Sequence, residues 1–333
     1  MKKNLINFLV IIIITAFVLY FSLKDNFLEI IHTIGNMNLY LFMLAIIIYM
    51  GYLFLKSTVM RGIVRNFKKD YTIKKSFRMS LETNFFHAIT PFSTGGQPYE
   101  IYRLSKDGVS VIHSANISIQ NFIIYQSALV LLGIFALIYN HFMNLYEDIT
   151  ILKNLVAIGF TINFLVIVLL FAISLFKKMN KVIINFFIKI LFEMKIIKNK
   201  EETKQKIEKY LLDFDEGARI LLKNKWKFLY LVFIEFLALL LLYLIPYFLI
   251  KGVDLKIEIS VLNVIVTSAY VMLIGSFVPI PGGTGGLEYG FIAFFGNFIT
   301  GPILNAIMLL WRFVTYYFGM ILGSIVLSLR KKE

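Results

Sequence analysis

Long apolar runs separated by short charged stretches give the first reading of the chain. Leu5–Leu23, Leu39–Thr58, Ile117–Tyr139, Asn154–Phe176, Phe228–Ile250 and Ile303–Leu329 are each nearly free of charge. About 20 such residues cross a hydrocarbon core of about 30 Å, so six full spans are expected. Two further regions, Met79–Asn116 and Ile259–Thr300, are apolar but interrupted by proline and glycine. In the first, the apolar piece Phe85–Phe92 is too short to cross. Backbone that leaves the helix at membrane depth is tolerated only when buried in protein or lining a wet cavity. The expected fold is therefore an all-α polytopic membrane protein: six full transmembrane helices plus two re-entrant broken hairpins.

Charge then gives orientation. The net charge is +14, and 59% of residues are hydrophobic. Arg61–Arg78 carries seven cations against Asp70, and Lys177–Lys227 carries fourteen against seven acids. Lys2, Lys3 and the terminal Arg330-Lys331-Lys332 complete the basic set, while the loop with Glu147 and Asp148 is acidic. The positive-inside rule places the basic segments and both termini in the cytoplasm, in the inner (plasma) membrane. Met79–Asn116 then enters and leaves on the cytoplasmic side, and Ile259–Thr300 on the outer side. Anionic phospholipid is the natural partner of such a distribution, and nucleic acid is not expected. Lys56, at the end of the second span, is expected to snorkel.

Other segments fall into place around that frame. Leu5–Leu23 lacks a small-x-small cleavage site and reads as an uncleaved span. Within 177–227, Ile207, Leu211, Phe214, Ala218 and Leu221 recur at helical steps, giving one apolar face. Lys181–Ile197 is greasier and is expected at the interface. Cysteine is absent, so no disulfide or thiolate site exists. His32, His87, His113 and His141 are scattered, so no metal is expected. No P-loop, nucleophile elbow or dinucleotide fingerprint occurs, so no cofactor is expected.

The two broken regions share a motif. Pro91–Gly96 reads PFSTGG and Pro281–Gly286 reads PGGTGG, both P-x-x-T-G-G. The charge pattern puts them on opposite sides of the membrane, as in an inverted repeat with a substrate site near the midplane. The alternative is two unrelated turns.

SFVPIPGGTGGLE, NFFHAITPFSTGGQPYEIYRL and the late Trp311-Arg312 together resemble the flippase-like family. This is the transmembrane domain of the lysylphosphatidylglycerol synthases (multiple peptide resistance factor), also found as stand-alone proteins. The resemblance covers nearly the whole chain. It implies movement of aminoacylated phosphatidylglycerol between leaflets. In the full-length synthases a separate soluble domain transfers lysine from lysyl-tRNA. Here the chain ends four residues after its last span. It is expected to lack that domain and not to be an enzyme by itself.

Under that resemblance several residues become candidates for substrate binding. Intramembrane charge is costly, so Glu235, Glu288 and Arg312 need partners or water. Backbone N–H groups of Thr284, Gly285 and Gly286, at a helix start, are suited to a phosphate. Glu288 would meet an amino cation, or would cap its own helix. Arg312 would grip a phosphate bidentately, or pair with Glu235 or Glu288. Pro281, Gly282 and Gly283 complete the second turn. Thr94, Gly95, Gly96 and Gln97 form the first, and Glu100 and Arg103 follow it. Gly319-x-x-x-Gly323 is read as a helix-packing face.

Two other readings stay open. One is a lipid-modifying aminoacyl or glycosyl transferase, although 177–227 shows neither a catalytic base nor a nucleotide pocket. The other is a membrane partner for a separate synthase or glycosyltransferase, or a homo-oligomer.

Overall fold

The computed structural model describes residues 27–146, 150–175, 192, 223–275, 278 and 280–330. The expected first span Leu5–Leu23, the helix expected around Ile207–Leu221, the stretch Lys181–Ile197 (save Phe192) and the terminal Lys331-Lys332 lie outside these residues.

Every element among the described residues is helical. In chain order they are α1 (Phe27–Gly35), α2 (Leu39–Val64), α3 (Ile73–Ala88), a first tight turn (Pro91–Ser93), α4 (Gly96–Lys106) and α5 (Val111–Met143). Then come α6 (Thr150–Leu175), α7 (Lys225–Val253), α8 (Val261–Gly275), a second tight turn (Pro281–Gly283) and α9 (Gly286–Phe295). The last is α10 (Gly301–Arg330), whose segment Phe313–Tyr317 is a π turn. Among the described residues five helices are long and apolar enough to cross a bilayer: α2, α5, α6, α7 and α10. They correspond to the second to sixth expected spans. Ile47, Phe54, Leu131, Phe135, Ile158 and Leu165 are exposed on them, as lipid-facing side chains are.

Side chains start the helices where the chain leaves an extended conformation. Asn38 Oδ1 accepts from the N–H of Tyr40 and Leu41, at 3.0 and 3.3 Å. Thr72, Ser110 and Asn224 cap α3, α5 and α7 in the same way.

Both broken regions are helix–turn–helix hairpins. α3 and α4 form the first and pack on each other, as do α8 and α9 in the second. Two boundaries differ from the sequence reading. The basic stretch Arg61–Arg78 is mostly helix, because buried Val59, Met60, Ile63 and Val64 carry the apolar face of α2 onward. α3 then begins at Ile73 and runs 16 residues, about 24 Å, far longer than Phe85–Phe92. The charged residues of the first hairpin thus ride on helices whose other faces are buried.

Among the described residues α2 packs along α7, α5 against α7 and α10 against α3. The last contact explains the glycine pair in α10. A Cβ on Gly323 would lie 2.4 Å from the Leu81 carbonyl oxygen and 2.7 Å from Phe85 Cβ. One on Gly319 would meet the Tyr49 hydroxyl at 2.1 Å. The motif packs α10 onto α3 within the chain. Arg330 closes the same interface, 2.6 Å from buried Glu82, which Tyr99 also reaches at 2.6 Å. Gly323→Val is expected to lower stability by about 1–3 kcal/mol through overpacking against backbone, read as a lower midpoint in detergent unfolding. A midpoint equal to wild type would mean that α10 and α3 are not in this contact.

Candidate functional site

The two P-x-x-T-G-G turns pack directly against each other. Their backbones match at the second and third motif positions. The second and third motif residues are left-handed in both, Phe92 and Ser93 at φ 52° and 53°, Gly282 and Gly283 at 66° and 64°. In each, the threonine hydroxyl donates to the proline carbonyl at 2.9 Å, from Thr94 to Pro91 and from Thr284 to Pro281. Left-handed backbone costs a residue with a Cβ about 1–2 kcal/mol. Phe92 and Ser93 accept that strain, which the glycines of the second turn avoid. The shared conformation favours a repeat over two unrelated turns.

From the threonine onward the two diverge, with ψ −15° at Thr94 and 136° at Thr284. Gly95 N–H donates to Thr90 Oγ1 at 2.8 Å. Gly285, at φ 90°, donates to Glu288 Oε2 at 2.7 Å, so Glu288 caps α9 itself. Thr284 N–H is also taken, by the Pro281 carbonyl. The expectation of bare donors across Thr284–Gly286 therefore fails at Thr284 and Gly285. Their N–H groups are spent holding the turn closed.

Arg312 lies over the second turn. Its Nε is 2.7 Å from Glu288 Oε1, and a terminal nitrogen donates to the Gly282 carbonyl at 3.0 Å and to Thr284 Oγ1 at 3.4 Å. Both side chains are buried. Of the two pairings left open by the sequence, Arg312 takes Glu288. The guanidinium also stacks over Tyr316, 4.6 Å from its ring centre. Tyr316 in turn donates to the Ala88 carbonyl at 3.1 Å, at the end of α3. One chain of contacts, Glu288–Arg312–Tyr316–Ala88, thus ties the second turn to the first hairpin through the π turn of α10. π turns recur at functional sites. Tyr316→Phe, which removes only the bond to Ala88, is expected to cost about 0.5–1.5 kcal/mol, measured by denaturant unfolding. No loss at all would remove the tyrosine from that chain.

A second charged group gathers between α2, α4, α5 and α7. Glu235 is fully buried on α7, with Lys56 Nζ 3.9 Å away. Lys56 does not snorkel, because α2 continues two turns past it to Val64. Its ammonium lies over the rings of Tyr52 and Tyr125 at 5.7 and 5.1 Å. Glu100, buried on α4, accepts from Ser118 Oγ at 2.9 Å and Asn121 Nδ2 at 3.4 Å, and senses the charge of Lys56. Lys56 is the residue sequence reasoning missed. A lysine on the inward face of an apolar helix, one turn beyond Tyr52, was the available signal.

The remaining candidates are placed apart. Arg103 is paired with Asp107 at 2.5 Å, near the far end of α4. Asp107 is held there by Lys68 and Tyr71, and seven residues of helix put Arg103 about 10 Å along the axis from Gly96. Gln97 is half-buried at the start of α4. Pro91–Thr94 are exposed, whereas Pro281–Gly283 are half-buried and Thr284 is buried.

The chain matches the family described as "Lysylphosphatidylglycerol synthase TM region" over residues 5–323. A comparison with curated proteins found no match.

Proposed function

The chain belongs to the lysylphosphatidylglycerol synthase TM-region family, and from that premise we propose that it moves phospholipid between leaflets. The lipid carries an anionic or aminoacylated head group, and the membrane is the inner (plasma) membrane, with both termini cytoplasmic. The observation that carries this reading is the contact between two matching turns beside a buried, fully opposed ion pair. A head group with one phosphate and one amine presents the counter-charges of Arg312 and Glu288. In translocation it exchanges partners with that pair, the phosphate going to Arg312 and the ammonium to Glu288. The pair reforms when the head group leaves. Thr94–Gln97 and Pro281–Gly286 line the path. The exposed first turn beside the half-buried second fits one of the two states that alternate access requires.

The test is reconstitution in phosphatidylethanolamine–phosphatidylglycerol vesicles with a fluorescent or lysyl-labelled lipid. Wild type is expected to speed exchange between leaflets. Glu288→Gln is expected to slow it by about tenfold or more, equivalent to roughly 1.4 kcal/mol on the barrier. Exchange no faster than in empty vesicles overturns the proposal. Release of lysyl-lipid from charged tRNA by the purified chain favours the transferase reading instead.

A further inference from the structure

Among the described residues, the group around Lys56 carries a charge imbalance that its neighbours do not resolve. From α2 it receives Lys56 with the neutral phenols Tyr49 and Tyr52, and from α5 Tyr125, Ser118 and Asn121. From α4 it receives Glu100, and from α7 Glu235 and the phenol Tyr243. His87 on α3 lies within electrostatic reach of Lys56, and its Nδ1 is already engaged by the Ser93 carbonyl. Arg312 on α10 is committed to Glu288. One ammonium therefore faces two carboxyl groups, both buried. Glu100 has two hydrogen-bond donors. Among the described residues neither oxygen of Glu235 has any, and Lys56 stands off at 3.9 Å.

A buried carboxylate without donors is a costly charge, and such groups neutralise instead. A metal cation is a poor fit for that role. The lysine ammonium already occupies the counter-ion position, and among the described residues no three His, Cys, Asp or Glu converge to hold a metal. We propose that Glu235 and Glu100, beside Lys56, form a proton-binding site that holds one exchangeable proton. Glu235 carries it in this conformation, because it lacks the two donors that Glu100 has. Movement of α4 or α7 that brings a donor to Glu235 releases the proton. Lys56 is the most exposed of the three charged side chains, at 26%. Coupling of this proton to head-group movement rests on the translocation reading, but its binding does not.

Infrared difference spectroscopy of the chain in phosphatidylglycerol vesicles tests this directly. At neutral pH exposed carboxyl groups are ionised, so a carbonyl stretch of a protonated acid marks a buried one. Wild type is expected to show that band and to lose it in alkaline buffer. Glu235→Gln is expected to abolish it, and Glu288→Gln to leave it. Glu235→Asp, which keeps the acid and displaces its carbonyl frequency, reads the same assignment should the glutamine variant not fold. A spectrum without the band at neutral pH overturns the proposal, as does a band that survives Glu235→Gln or is unmoved in Glu235→Asp. None of these outcomes depends on whether lipid moves.

Discussion

Arg312→Ala is expected to lower stability by about 3–5 kcal/mol and to bring lipid exchange down to the background of empty vesicles. The size follows from what remains. Glu288 would keep its bond to Gly285 N–H but lose its counter-ion. A buried charge stripped of its partner costs that much, whereas replacing both members by apolar residues is often neutral. The double variant Arg312→Met/Glu288→Leu should therefore be more stable than Arg312→Ala alone while remaining inactive. Unfolding midpoints of the three proteins separate the effects. If the double variant is the least stable, the pair stabilises the fold in its own right and the desolvation argument is wrong. If Arg312→Ala unfolds like wild type, the arginine does not hold the second turn. The Gly282 carbonyl and Thr284 hydroxyl would also lose their donor, so the loss should extend to the shape of the turn.

Most of the architecture was written in hydropathy. The spans from Leu39 onward stand out because a bilayer demands an uninterrupted apolar run, and proline and glycine mark where such a run breaks. The repeat was legible because P-x-x-T-G-G is a backbone instruction: proline starts the turn, and threonine closes it on the proline carbonyl. Left-handed φ at Phe92 and Ser93 was not legible, since neither residue advertises it. Helix ends were read short, because the apolar faces of α2 and α3 continue among charged residues that point elsewhere. Pairing was the hardest part. Arg312 with Glu288, Lys56 with Glu235, and Glu82 with Arg330 each join residues from different helices. Hydropathy identifies costly charges but is silent on which ones meet. Lys56 was misread for that reason: ending its apolar run at Thr58 gave it water to reach.

Gly282→Ala is the smallest change with a large expected effect, because the methyl group has nowhere to go. At φ 66° a Cβ costs about 1–2 kcal/mol in backbone strain. The same Cβ would lie 2.2 Å from Tyr316 Cε2, and overpacking of this kind adds about 1–3 kcal/mol. Tyr316 cannot swing aside freely. Its hydroxyl is bonded to the Ala88 carbonyl, and its ring lies under the Arg312 guanidinium. Displacing it would loosen both the link between hairpins and the seat of the ion pair, so exchange should fall along with stability. Gly285→Ala makes the comparison, since Gly285 has φ 90° but no atom within 4 Å of its Cβ position. Its ψ of −54° lies outside the left-handed helical region, so the change should cost a backbone strain of its own and no packing. Tyr316→Ala isolates the packing part. Combined with Gly282→Ala, it should recover the overpacking share, so that the double variant is less destabilised than the sum of the singles. Additive losses would mean that the ring and the glycine do not touch, and the contact joining the two turns would have to be drawn elsewhere.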